Sequence, residues 1–157
     1  KGLDAAAFML EHSLEKNPCD LYCGQTHWIT QKILQSNGFQ NAFSTLKKNL
    51  LQSLHTFIPV GSFGVNFQET GDQDLYLSIG KCDLKYVVFL NTSPIRIDFL
   101  IDDPYDFNEI RSFGVEDDVA FFNKELGALA NDGALFSQGD RVITTYETHI
   151  RFSKILS

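Results

Sequence analysis

Along the chain, apolar residues recur first at helical spacing and then, after Pro59, at every second position. Leu3, Ala7, Leu10 and Leu14 fall on one helical face, and Asp4 sits in the first turn, where the helix dipole favours an acid. Asn17-Pro18 halts this helix, and the loop Cys19 to Gly24 follows. Thr26 reads as the N-cap of a short second helix carrying Trp28, Ile29 and Ile33 and ending at Asn37-Gly38. A third helix presents Phe39, Phe43, Leu46, Leu50 and Leu54 on one side and Lys47 and Lys48 to water.

Beyond Pro59 the period is that of strands. Phe63, Val65 and Phe67 alternate with small or polar residues, and Thr70-Gly71-Asp72 marks a turn. Leu75, Leu77 and Ile79 predict a second strand, with a bulge or bend at Gly80. Cys82 to Leu90 reads as a third strand, turned by Asn91-Thr92-Ser93-Pro94. The clearest strand is Ile95, Ile97, Phe99 and Ile101, with Arg96 and Asp98 on its opposite face. A fourth helix is expected from Val115 to Asn131, with Phe122 and Leu126 on its core side and Gly133 just beyond its end. The last strand, from about Arg141 to Phe152, alternates Val142, Thr144, Tyr146, Thr148, Ile150 and Phe152 with Ile143, Thr145, Glu147, His149 and Arg151.

This order predicts an α+β fold. Three N-terminal helices precede a mostly antiparallel sheet of four to five strands, with one further helix before the last strand. Short turns between the strands imply antiparallel neighbours. Leu10, Phe43, Leu46, Leu50, Phe99, Phe122 and Leu126 are the expected core. No linker or repeat divides residues 1–157, so a single domain is expected. The chain opens on Lys1 rather than Met, which suggests a domain excised from a longer protein.

Composition narrows the function classes. With 43% hydrophobic and only 21% charged residues, the chain can bury a core and is not disordered by composition. A net charge of -7 disfavours binding to nucleic acid, which needs clustered Lys and Arg. The same charge serves solubility, or else a basic or cationic partner. No run approaches the length of a transmembrane segment. Three cysteines, Cys19, Cys23 and Cys82, are too few and odd in number for a disulfide framework. Cys19, Cys23 and His27 do not have a usual zinc spacing, so neither zinc nor a strained Cys19–Cys23 bridge is expected.

The one concentration of chemistry is Asp102-Asp103-Pro104-Tyr105-Asp106, at the end of the clearest strand. In an extended stretch Asp103 and Tyr105 share one face and Asp102 and Asp106 the other. Carboxylates held close can bind Mg²⁺ or Ca²⁺, or divide into acid and base. Arg111 could hold a phosphate or a carboxylate. Asp and Pro are also turn residues, and Tyr105 with Phe107 could simply anchor a loop. If the last strand neighbours this stretch, His149 becomes available as an acid or base.

Asp103-Pro104-Tyr105-Asp106 resembles the Asp-x-Tyr-Asp motif of colicin M-type bacteriocins. That resemblance implies Mg²⁺-dependent hydrolysis of the lipid-linked peptidoglycan precursor, between lipid and pyrophosphate. It makes Asp103, Tyr105 and Asp106 the motif residues, with Asp103 the candidate for the central catalytic carboxylate; Asp103 and Asp106 would then bind the Mg²⁺ or activate water. The family's Arg lies further along than Arg111, and no His stands immediately before Arg111 here. More of the chain is covered by a second resemblance. Leu10-Glu11-His12-Ser13-Leu14, Asn17-Pro18, Asp20-Leu21, Asp74-Leu75-Tyr76-Leu77-Ser78 and Tyr105-Asp106-Phe107 are similar to an uncharacterised group of bacterial domains. These often sit at the C-termini of secreted or polymorphic-toxin-like proteins. It carries no activity that transfers but implies a secreted or delivered bacterial domain at the end of a longer protein; an immunity or inhibitor protein is the expected partner if the domain is a toxin.

Two expectations follow. One is a toxin-like hydrolase of a phosphate or pyrophosphate ester, using Asp103, Tyr105, Asp106 and Arg111 with Mg²⁺. The alternative is a non-enzymatic binding domain of a secreted bacterial protein.

Overall fold

A computed structural model describes residues 2–53, 56–105 and 146–156. The fold is α+β: helices precede a mixed, mostly antiparallel sheet of five strands. The elements are α1 (Asp4–Ser13), β1 (Leu21–Cys23), α2 (Trp28–Gln35), α3 (Asn37–Gln52), β2 (Val60–Asn66), α4 (Gln73–Ser78), β3 (Lys81–Phe89), β4 (Ile95–Tyr105) and β5 (Tyr146–Leu156). The sheet order is β1-β5-β4-β3-β2, and only the β1–β5 pairing is parallel. The helix expected over 115–131, with Phe122 and Leu126, lies outside the described residues, as do Leu54 and the start of the expected last strand.

Strand parity decides what is buried. Ile97, Phe99 and Ile101 on β4 and Tyr146, Thr148, Ile150 and Phe152 on β5 turn inward under the helices. Phe39 of α3 joins them, edge-on to Phe99 and Phe152 at 5.3 Å each, and stacks on Phe43 at 5.7 Å. Burying an aromatic of this size contributes about 2–3 kcal/mol. Leu46 and Leu50 fill the same core, whereas Leu10 belongs to a smaller cluster with Ala6 and Leu77.

Several local expectations are corrected. In α1 the most deeply buried residues are Ala5, Ala6, Met9 and Ser13, not Leu3, Ala7 and Leu14. The helix is held on two sides, by the main core and by α4, and small residues permit that close approach. The cap of α2 is His27, whose Nδ1 accepts from the Ile29 N–H at 3.3 Å, rather than Thr26. Asn37-Gly38 does not end α2. Ser36 ends it and also caps α3, accepting from Phe39 N–H at 3.1 Å. Gly38 is needed because a Cβ there would lie 2.9 Å from Val65 Cγ1 and 3.1 Å from the Phe67 ring.

The alternating Leu75, Leu77 and Ile79 belong not to a strand but to α4 and its C-terminal flank. A run of six residues satisfies either period, and tertiary partners decide. As a helix, it sends Leu75 and Ile79 to the main core and Leu77 to α1. It also places Asp74, nearly fully buried, under the start of α1. There Asp74 accepts from Ala5 N–H (3.1 Å) and Ala6 N–H (2.9 Å) and pairs with Lys32. These are amides that α1 itself cannot satisfy. Gly80 then turns the chain at φ +73, in the region that favours glycine.

The Cys19 to Gly24 loop contains the short strand β1, in register Leu21 with Thr148 and Cys23 with Ile150. Beyond its three residues, side chains continue its work. Asp20 Oδ1 accepts from Glu147 N–H (3.2 Å), and Gln25 Oε1 accepts from Ser153 N–H (2.7 Å).

Candidate functional site

The outer face of the sheet carries the best-organised group of ionisable side chains among the described residues. In the β4–β5 ladder, Asp102 stands opposite His149, and in the β1–β5 ladder Tyr22 stands opposite His149. Directly paired residues share a face, so the three side chains form one row across three strands. His149 Nδ1 lies 2.8 Å from Asp102 Oδ1. Its Nε2 lies 3.7 Å from Asp20 Oδ2, and its ring stacks on Tyr22 with centroids 4.8 Å apart. Arg151, two residues along β5, brings its guanidinium to 3.8 Å from Asp102 Oδ1. Lys85 of β3 brings its Nζ to 3.6 Å from Oδ2.

The Asp102 carboxyl is held below the usual carboxylate range. The hydrogen bond with His149 is the main cause; partial burial opposes it, and the charges of Lys85, Arg151 and His149 assist. Asp102 thus stays ionised and fixes the imidazole through Nδ1. That leaves Nε2 directed toward Asp20 and solvent, the arrangement of an oriented acid–base histidine. Lys85 and Arg151 have more than half of their side chains exposed, so their heads can turn to an anion.

The motif residues sit elsewhere. Strand β4 runs on through Tyr105, so Asp103 and Tyr105 do share the inner face, opposite Thr148 and Tyr146. Asp103 and His149 therefore occupy opposite faces of the sheet, and the structure does not bring them together. Tyr105 is buried and stacked on Tyr146 at 5.1 Å, and burial pushes its phenol well above the ordinary range. Asp103 is half-buried and near enough to Cys82 to help raise that thiol. Burial is the larger cause, Asp103 and Asp83 add to it, and the result is about 12. Beside Asp103, the buried Thr148 Oγ1 has no hydrogen-bond partner among the described residues. Asp106 and Arg111 lie outside the described residues.

The Cys-His group is dispersed. Cys19 is exposed, Cys23 and Cys82 are buried, and all three are free thiols. His27 caps a helix, and its own burial lowers its pKa. Cys23 is pushed by burial to about 11. Among the described residues no group of three or more His, Cys, Asp or Glu side chains is placed to hold a metal ion. No helix among them is long and apolar enough to cross a membrane.

His149 was legible as an acid–base candidate only if β5 neighbours β4, and Arg151 only as a residue on the same face of that strand; Asp20, Tyr22 and Lys85 carried no such signal. The parity of β4 puts Asp102 on the polar face with Arg96 and Asp98, which was a usable signal. The partner across the ladder was not readable. No known family, curated protein or solved structure matches this chain.

Proposed function

We propose that this domain is a toxin-like hydrolase of a phosphate or pyrophosphate ester, in which His149 is the acid–base residue. The observation that carries this reading is the 2.8 Å pairing of His149 Nδ1 with Asp102, flanked by Lys85 and Arg151. Asp102 orients the ring through Nδ1. Nε2 takes a proton from the attacking water as the water oxygen bonds to phosphorus and the ester P–O bond on the opposite side breaks; the leaving oxygen takes its proton from solvent, and Nε2 gives its own up to solvent. Arg151 and Lys85 hold the phosphate oxygens.

The resemblance to colicin M-type bacteriocins adds a lipid-linked peptidoglycan precursor as substrate and a need for Mg²⁺; on the hydrolase reading Asp103 with Asp106 would hold the ion, Arg111 would hold the phosphate, and an immunity protein would be the partner. The similarity to the uncharacterised group of bacterial C-terminal domains favours a secreted or delivered bacterial domain. Asp103 and Tyr105 face away from His149, so the motif reading and the His149 reading make separable predictions.

The deciding experiment is hydrolysis of that precursor and of simple phosphodiester and pyrophosphate esters, with and without Mg²⁺. The expected result is product release that His149→Ala abolishes. Loss in Asp103→Ala with His149→Ala active would move the site to the inner face. A folded domain that releases no product from any of them removes the enzyme reading. A non-enzymatic binding domain then leads, a reading favoured by the exposed apolar side chains Tyr22, Val60, Val87 and Ile155 on the outer face of the sheet.

A further inference from the structure

The two edges of the sheet are treated differently. At the β1 edge the strand is three residues long, and Asp20 and Gln25 occupy the neighbouring β5 amides. At the other edge, β2 is seven residues long, Val60-Gly61-Ser62-Phe63-Gly64-Val65-Asn66. It has no charged residue and no proline, and nothing among the described residues pairs with its outer side. Edges are ordinarily blunted by charge, proline, bulges or shortness, because an open row of amides and carbonyls recruits another strand. Exposed apolar side chains gather at the same end: Ile58 is 74% exposed, Val60 59% and its ladder partner Val87 40%.

We propose that β2 pairs with β2 of a second copy of this chain, antiparallel and centred on Ser62, to make one sheet across a two-fold axis. The direction of the free groups selects this register. Pro59 C=O accepts from Val88 N–H at 2.7 Å, so residue 59 points toward β3. Alternation along an antiparallel ladder then turns the amides and carbonyls of Val60, Ser62 and Gly64 outward. Asn66 C=O is already engaged by the Thr70 hydroxyl at 3.4 Å, which leaves those three as the pairing set. Centring on Ser62 sets Ser62 against Ser62 of the other copy and Val60 against Gly64.

The side chains suit that pairing. Val60, Ser62 and Gly64 all face outward and are exposed, and space above Gly64 is open, with no atom within 4 Å of an added Cβ. The protruding Val60 of each copy would lie over the bare Gly64 of the other. Two chains of net charge -7 repel each other, and a strand without charge is where they can approach with least cost. A two-fold axis normal to the sheet also keeps the helices of both copies on one face, so they do not collide with the neighbouring sheet.

Five paired residues with Val60 and Ile58 beside them make a small interface, so association is expected at concentrations on the order of 100 µM. Sedimentation velocity from about 10 µM to about 1 mM tests it, together with hydrogen exchange at the two extremes. The wild-type chain should shift from monomer to dimer, and the amides of Val60, Ser62 and Gly64 should gain protection with concentration. Ser62→Pro removes the central outward N–H and should leave a monomer. Gly64→Lys should also leave a monomer, by setting a charged side chain against Val60 of the other copy; its Cβ meets nothing within 4 Å in one copy, so it serves even if Ser62→Pro folds poorly. A wild-type chain that stays monomeric throughout would overturn the proposal. So would a dimer that survives both variants, or amides equally protected at low concentration.

Discussion

His149 stands directly across the β4–β5 ladder from Asp102, its Nδ1 2.8 Å from Oδ1, although 47 residues separate them in the chain. The register that creates this pair also places Asp103 on the opposite face, against Thr148. A one-residue slip would exchange them and bring Asp103 to the histidine. The chemistry of the outer face thus depends on register more than on the presence of an acidic cluster.

Asp102→Asn keeps the shape of the pair and removes its charge. If His149 is the acid–base residue, activity should fall by about 10²- to 10⁴-fold, with the sheet intact by circular dichroism. Arg151→Ala should instead weaken substrate binding more than turnover. Equal losses in both variants, with a lowered melting temperature, would indicate structural damage.

The pH dependence has a definite sign. The Asp102 carboxyl is depressed in the folded state, chiefly by His149, so its contribution is present above the ordinary carboxylate value of 3.8. It is lost as pH falls through the depressed folded value. The difference in urea stability between wild type and Asp102→Asn should therefore be constant from about pH 5 upward, as regards this carboxyl, and shrink below about pH 4. A difference that grows on acidification would contradict the pairing.

Asp74 is the buried carboxylate on which α1, α2 and α4 converge. Asp74→Ala strips two amides of α1 and the Lys32 ammonium of their partner. The expected cost is about 3 kcal/mol in urea unfolding, since removing one member of such a group strands the others. Asp74→Asn should retain part of the cap and cost less. A change below about 0.5 kcal/mol in Asp74→Ala would mean that α1 does not depend on it.

Gly38 and Gly64 should respond oppositely to alanine. In α3 an alanine gains about 1 kcal/mol of helix propensity, but its Cβ meets the stiff Val65 side chain at 2.9 Å and the Phe67 ring at 3.1 Å. Overpacking should win, leaving Gly38→Ala less stable by about 1–2 kcal/mol. Gly64→Ala meets nothing and should be neutral or slightly stabilising in dilute solution.

Thiol chemistry provides a check without mutation. Cys19 is exposed, while burial raises Cys23 to about 11 and Cys82 to about 12. A thiol reagent at pH 8 should modify one cysteine in the native chain and all three in denaturant. Fast modification of two or three native thiols would show that the core opens readily around β1 or β3.

Much of the fold was determined by the sequence alone, because it rests on local periodicity. The change of period after Pro59, the inward sides of Ile97, Phe99 and Ile101, and those of Tyr146, Thr148, Ile150 and Phe152 follow from which side chains avoid water. The extended stretch that sets Asp103 and Tyr105 on one face was legible for the same reason. What tertiary structure decided lies where local preference is ambiguous or the partner is distant. Six residues around Leu75 became a helix because Asp74 found the amides of α1 and Leu77 found Leu10 and Ala6. Gly38 stayed inside a helix because Val65 and Phe67 press on it. Leu21 to Cys23 became a strand because β5 lay beside it. The assembly of Asp20, Tyr22, Lys85, Asp102, His149 and Arg151 depends on the register of four strands, fixed by burial of their other faces. No residue's own neighbourhood in the chain records that register.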